Sequence, residues 1–208
     1  MRPKSPPHRT TQGQIRVIAG QWRRQLLSVP THEGLRPTGD RVRETVFNWL
    51  NHFWGGQFAE QQILDVFAGS GAFGLECVSR GARDVVLVDS FRPAVEIIRR
   101  NAAATKLADR VSVRASDVGA FLGVPPAAPF DVIWLDPPYA LAGRELDEVL
   151  SRLADGWLAC DGLVVVERAR RDPTPAWPPE LADRWSRHYG ETELYFARPA
   201  PVSVEEGQ

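Results

Sequence analysis

Ile63-Leu64-Asp65-Val66-Phe67-Ala68-Gly69-Ser70-Gly71-Ala72-Phe73-Gly74 is an apolar run that breaks into glycines and then resumes. It reads as a buried strand over 63–67, a tight turn, and a helix over about 73–80 that ends at Gly81. The alternation then repeats down the chain. Val85–Val88 is a second strand, closed by Asp89, and a helix follows over about 92–105. Val111–Val113 is a third strand with Asp117 just beyond it, then a short helix at about 117–122. Phe130–Leu135 is a fourth strand, ending in Asp136-Pro137-Pro138-Tyr139. A helix over about 143–154 leads to a strand at Gly162–Glu167. Continuous apolar strands alternating with helices imply a parallel sheet covered on both faces. The Pro-rich segment 172–180 cannot be a helix interior. Trp185–Tyr189 and Glu193–Arg198, around Gly190, read as a terminal antiparallel hairpin.

Upstream, Ile15–Ile18 and Leu26–Val29 form a short hairpin interrupted at Gly20. Thr38 or Asp40 caps a helix carrying Val42, Val46, Phe47, Trp49 and Leu50, which stops near Gly55-Gly56. The expected fold is α/β: a doubly wound, mostly parallel seven-stranded sheet with a small N-terminal hairpin–helix appendage. The expected divisions are a disordered basic arm (1–13), the appendage (14–56), the main domain (57–199) and a flexible tail (200–208).

Composition narrows the classes. The 208 residues are 43% hydrophobic and 25% charged, enough for one core and a short appendage. No apolar run approaches the roughly 20 residues a membrane helix needs. The basic N-terminus leads into polar residues, unlike a secretory signal. Cys77 and Cys160 form no C-x-x-C pair, and His8, His32, His52 and His188 show no metal-ligand spacing. A soluble cytoplasmic protein without a metal is expected. Net charge is −1, yet residues 1–50 carry nine Lys/Arg against three acids. A basic arm on an acidic body suggests a polyanion partner, although a solvated tail would look the same.

Gly69-Ser70-Gly71-Ala72-Phe73-Gly74 is a G-x-G-x-x-G between strand and helix, the setting in which such a turn binds a nucleotide cofactor. Asp89 lies 20 residues after Gly69 and suits a ribose diol, in a nicotinamide cofactor or in S-adenosylmethionine. Asp65 separates the two. A carboxylate inside the strand repels a pyrophosphate but attracts an ammonium and a sulfonium, which favours S-adenosylmethionine. In Asp136-Pro137-Pro138-Tyr139 the prolines fix the direction of the Asp136 side chain and the Pro137 carbonyl. Both are acceptors and could hold the two hydrogens of an exocyclic amine. Tyr139 offers a face for stacking a base. A rigid turn with a local Asp cap is the plain alternative.

These motifs together, DVFAGSGAFGLE followed by DPPY, resemble the class I S-adenosylmethionine-dependent amino-methyltransferases. RVIAGQWRRQLLSVP and GLRPTGDRVRETVFNWL narrow the resemblance to the bacterial 16S ribosomal RNA guanine-N2 methyltransferases of small-subunit type D, over about 14–198. The resemblance implies a Rossmann-like methyltransferase sheet. It implies that Asp65 and Ala68, Gly69, Ser70 and Gly71 hold the methionine end of the cofactor. Asp89 would bind the ribose with Ser90 beside the adenine, and Asp117 and Val118 would meet the adenine itself. Asp136, Pro137 and Tyr139 would handle a guanine, guanine 966 in conventional 16S numbering. Arg23, Arg24, Arg36, Arg41 and Arg43 would contact RNA phosphates. The implied partner is 16S rRNA within an assembling small subunit, bound by a monomer.

Competing readings are a DNA or protein amino-methyltransferase of the same fold, a non-catalytic RNA-binding module, and a nicotinamide oxidoreductase. The chain has no room for a DNA target-recognition region, and Asp136 stands where glutamine methyltransferases carry Asn. Trp49, Trp54 and Trp134 are expected to be packing residues and Cys77 an inert core residue. Trp22, among arginines, is weighed between packing and RNA stacking.

Overall fold

The computed structural model describes residues 13–29, 40–55, 58–105 and 108–200, with the side chains of Asp40 and Arg41 outside that description. The expected arm and tail, residues 31–39 and Gly56 lie outside the described residues, save Gly13 and Ala200 at the inner edges of the arm and tail. Strands β1 (Gly13–Arg16) and β2 (Leu26–Val29) pair antiparallel, and helix α1 spans Asp40–Phe53. The main unit then runs β3 (Gln62–Asp65), α2 (Ala72–Ser79), β4 (Asp84–Asp89), α3 (Arg92–Ala104) and β5 (Val111–Ala115). It continues with α4 (Val118–Phe121), β6 (Phe130–Leu135), α5 (Arg144–Ala154), β7 (Leu158–Ala169), β8 (Asp183–Tyr189) and β9 (Thr192–Arg198). A 3-10 turn at Ala108–Arg110 precedes β5.

The seven-stranded sheet has the order β5-β4-β3-β6-β7-β9-β8. Its first five strands are parallel, while β9 is antiparallel to both β7 and β8. The chain builds outward from β3 to β5, then crosses back and builds from β6 the other way. The crevice between the carboxyl ends of β3 and β6 is therefore the topological switch point, where open α/β sheets place ligands. β7 is longer than its apolar core implies. A register shift opposite Phe130 and Val132 lets it pair at Leu158 as well as over Leu163–Val166.

Helix α2 is buried on every side, from Phe73 to Ser79. One flank meets the sheet closely: a side chain at Gly74 would come within 2.3 Å of Leu87. The other flank is covered by the N-terminal unit. The Phe47 ring of α1 stacks on Phe73 at 5.1 Å, and Phe73 stacks on Trp134 at 4.3 Å. Buried Glu76 accepts hydrogen bonds from the amides of Ile18 (2.6 Å) and Ala19 (2.9 Å) and from Arg80 Nε (2.8 Å). Ser79 Oγ donates to the Ala19 carbonyl and accepts from the Trp22 amide. Val17, Leu27, Val46, Phe47 and Leu50 consequently share one core with the sheet. Trp22, Trp49 and Trp54 pack against that core, Trp134 lies within it, and Cys77 is fully buried.

Candidate active site

β3 ends in Asp65, which is only 1% exposed, and its Oδ1 has no hydrogen-bond partner. Burial pushes its carboxyl well above the usual carboxylate range, and the neighbouring Asp136 and Asp89 push the same way, against the Gly74 amide. Beyond Asp65, the turn is held by its own backbone. The Ala68 amide donates to the Val88 carbonyl at 2.9 Å, and the Gly71 amide to the Ala68 carbonyl at 2.6 Å. Gly69 has φ +56°, a conformation glycine adopts without strain, and a side chain there would meet nothing within 4 Å. The space above the turn is open. Ser70 is nearly buried, and its carbonyl accepts from Asn101 Nδ2 of α3 at 2.9 Å.

Asp89 ends β4 and clamps the turn. Its Oδ2 accepts from the Gly69 amide and its Oδ1 from the Phe91 amide, both at 2.8 Å. Ser90 and Phe91 are exposed at the mouth, Phe91 by 43%. After β5, Asp117 caps α4 by accepting the Ala120 amide at 2.9 Å, with Val118 half-buried beside it. Val118 also lines an open groove of about 190 Å³ shared with Leu141 and α5. Asp136 follows β6 and is half-buried, and Tyr139 is 51% exposed. Asp65 and Asp136 thus stand at the ends of paired strands, since Asp65 pairs with Trp134.

The structure brings Asp65, Ala68, Gly69, Ser70, Gly71, Asp89 and Asp136 to one end of the sheet. The arginines expected to face RNA divide. Arg23 and Arg24 are exposed in the turn between β1 and β2. Arg36 lies outside the described residues, and Arg41 lies in α1 with its side chain outside them. Arg43 corrects the expectation. It is 2% exposed, and its Nη2 donates to the Arg16 carbonyl at 3.0 Å. A guanidinium so enclosed fastens α1 to β1 and does not face a phosphate.

Two residues missed in the sequence join the site. Asn101 holds the Ser70 carbonyl and both backbone groups of Ser28 at 2.9 Å. Arg168 lies 4% exposed near the end of β7, beneath the Pro137–Leu141 segment. The signal for each was a polar residue beside buried apolar ones, Asn101 on the α3 stripe of Ala94, Ile97 and Ile98 and Arg168 close after the run Leu163–Val166 of β7. Among the described residues no cluster of His, Cys, Asp or Glu could hold a metal. None of the described helices is long and apolar enough to cross a membrane.

Comparison with known proteins agrees with this fold. The ribosomal RNA small subunit methyltransferase D of Escherichia coli K12 is 40% identical over 183 residues, 88% of this chain and 86% of that protein. The solved structure of Escherichia coli YhhF superposes with a TM-score of 0.76 at 34% identity, covering 91% of this chain and all of that one. The Thermus thermophilus 16S rRNA N2 G1207 methyltransferase, solved with AdoMet and guanosine, shares the fold with a TM-score of 0.68. It is 18% identical, covering 95% of this chain and 53% of its own. The profile of the family described as Conserved hypothetical protein 95 matches residues 15–198. With that match and the Escherichia coli identity across most of both chains, this protein belongs to the Conserved hypothetical protein 95 family, alongside the small-subunit methyltransferase D proteins.

Proposed function

We propose that this protein transfers a methyl group from S-adenosylmethionine to the exocyclic N2 of a guanine in 16S rRNA, guanine 966 in conventional numbering. The observation that carries the reading is the juxtaposition of Asp65 and Asp136 beside the switch point, at the ends of the adjacent strands β3 and β6, with Pro-Pro-Tyr directly beyond. The residues fit the cofactor. Asp65 Oδ1 is a buried acceptor lacking a partner, suited to the methionine ammonium, and the space over Gly69 admits the ligand. Asp89 offers carboxylate oxygens to the ribose hydroxyls. Asp117 uses Oδ1 for the cap and retains acceptor capacity for the adenine amine.

The sulfonium of the cofactor would supply an activated methyl group, its S–CH3 bond breaking as the N–CH3 bond forms and the sulfur leaving as the neutral thioether of S-adenosylhomocysteine. This chain's residues supply the rest. The Asp136 carboxylate and the Pro137 carbonyl accept the two amine hydrogens and turn the nitrogen lone pair toward the methyl group. Tyr139 stacks the base taken out of its helix. In-line positioning of nucleophile and methyl carries much of the acceleration. The product nitrogen is acidic, and its proton passes to Asp136 or to water.

Arg23 and Arg24 contact RNA phosphates from the hairpin turn. So small a basic unit reads a base best when ribosomal proteins present it, so the substrate is an assembling small subunit met by a monomeric enzyme. The test is a tritiated-methyl transfer assay on unmethylated small subunits, protein-free 16S RNA, duplex DNA and total protein, followed by nucleoside analysis. The expected label is N2-methylguanosine, faster on subunits than on naked RNA. Label in DNA, in protein or at another base position would refute the reaction. Equal rates on RNA and subunits would refute the substrate.

A further inference from the structure

A charge is expensive to bury, and a guanidinium is retained in an interior only where its donors are met. Arg168 is 4% exposed on β7. Its two terminal nitrogens face different ways. Nη2 lies 3.0 Å from Asp172 Oδ2, an ion pair between side chains 2% and 14% exposed that is held by charge and is not aligned as a hydrogen bond. Nη1 lies 3.1 Å from the Leu141 carbonyl, 3.4 Å from that of Pro137 and 3.5 Å from that of Pro138. The first is an ordinary hydrogen bond, and the other two are long electrostatic contacts.

The Pro137–Leu141 segment has few other ways to hold itself. Its two prolines carry no amide hydrogen. The Leu141 amide donates to the Pro138 carbonyl at 2.9 Å, which closes a turn with Tyr139 at its corner. That turn rests on Arg168. Asp172 is fixed in its own right, because its amide donates to the Ala169 carbonyl at 2.8 Å.

We propose that Arg168, oriented by Asp172, is the positioning residue of the target-base site. It sets the direction of the Pro137 carbonyl and of the Tyr139 ring through the backbone of the segment, without touching the substrate. This rests on the functional reading above. A planar fork can address the turn and Asp172 together, whereas a lysine ammonium is one point and can serve only one of them.

The test uses the full chain with Arg168→Lys, Arg168→Met and Asp172→Asn. S-adenosylhomocysteine affinity, read by calorimetry, should stay within about twofold and reports that the fold and cofactor turn persist. Misplacing reacting groups by about 1 Å costs on the order of 100-fold in rate. Arg168→Met should therefore lower kcat on small subunits by about that factor, Asp172→Asn by about a tenth of it, and Arg168→Lys by an intermediate amount. A role shared with Tyr139 also makes Arg168→Met with Tyr139→Ala little worse than either alone. Losses that multiply in the double variant would overturn the proposal. So would wild-type kcat in Arg168→Lys and Asp172→Asn.

Hydrogen exchange across 136–143 needs no substrate. The Leu141 amide should exchange about tenfold faster in Arg168→Met, with α2 unchanged, and unchanged exchange at Leu141 would overturn the proposal. If the wild-type protein labels no RNA, the functional reading falls while this exchange measurement still decides the role of Arg168.

Discussion

Replacing Glu76 with alanine should strongly destabilise the protein, although Glu76 touches nothing at the candidate site. Its side chain is fully buried and accepts three hydrogen bonds, from Ile18 N, Ala19 N and Arg80 Nε. Alanine leaves two part-buried backbone donors and the nearly buried Arg80 guanidinium, which lies over the Phe47 ring at 4.5 Å. Removing one partner of a buried ion pair costs about 3–5 kcal/mol. Each orphaned donor adds about 1–3 kcal/mol, discounted because the region can relax and admit water. We take about 4 kcal/mol, against a total domain stability of about 5–15 kcal/mol. Glutamine should cost roughly half as much, because its oxygen still accepts one bond while its NH₂ group confronts a second donor.

Urea unfolding followed by tryptophan fluorescence and by circular dichroism reads this directly. With a slope of about 1–3 kcal/mol per molar, the alanine midpoint should fall by about 1.3 M or more. An alanine variant within about 1 kcal/mol of wild type would refute the view that Glu76 joins the N-terminal unit to α2.

The raised Asp65 carboxyl makes the ligand-free protein less stable as pH rises. The unfolded chain releases this proton near pH 4, while the folded chain keeps it to a higher pH, so stability falls with pH between those points. Asp65→Asn should flatten that slope in thermal unfolding. Because a cofactor ammonium favours the carboxylate, binding should release a proton and tighten with pH. Calorimetry in buffers of different ionisation enthalpy that finds no release anywhere in that window would remove Asp65 from the contact. Asp136→Ala should lower kcat by about 100-fold or more while cofactor affinity changes less, and full activity would refute the role of Asp136. Because Asp136 also raises the Asp65 pKa, Asp136→Asn should shift the proton release toward lower pH. Arg23→Glu with Arg24→Glu should weaken RNA binding and lower the salt slope by about 0.7–0.9 per lost phosphate contact. An unchanged slope would take both off the interface.

The strand–turn–helix order and the two motifs were legible because their signals are local. Glycines and prolines restrict the backbone wherever they fall, and an acid after an apolar strand marks the strand's carboxyl end. What stayed illegible depends on what packs from outside. Arg43 sits three, four and seven residues before Val46, Phe47 and Leu50, on the buried stripe of α1. Asn101 stands seven, four and three residues after Ala94, Ile97 and Ile98, on the buried stripe of α3. Both polar side chains hydrogen-bond backbone of the N-terminal hairpin, which sequence periodicity treats as a separate unit. Arg168 was hidden for another reason. A strand buried on both faces has no alternation to break, so a charge within it stands out only beside its neighbours.

The long reach of these bonds bears on how the protein is made. A two-stranded hairpin alone is marginal in water. Residues 13–29 leave the ribosome early, yet the side chains that hold them lie well downstream. Glu76 is 58 residues beyond Ile18, and Asn101 is 73 residues beyond Ser28. At roughly 5–20 residues per second, the hairpin waits several seconds for its partners. Asn101 also grips the Ser70 carbonyl, so the residue that anchors β2 anchors the glycine turn as well. Vectorial synthesis thus leaves the hairpin, with the exposed Arg23 and Arg24 in its turn, without its side-chain anchors until α3 has emerged.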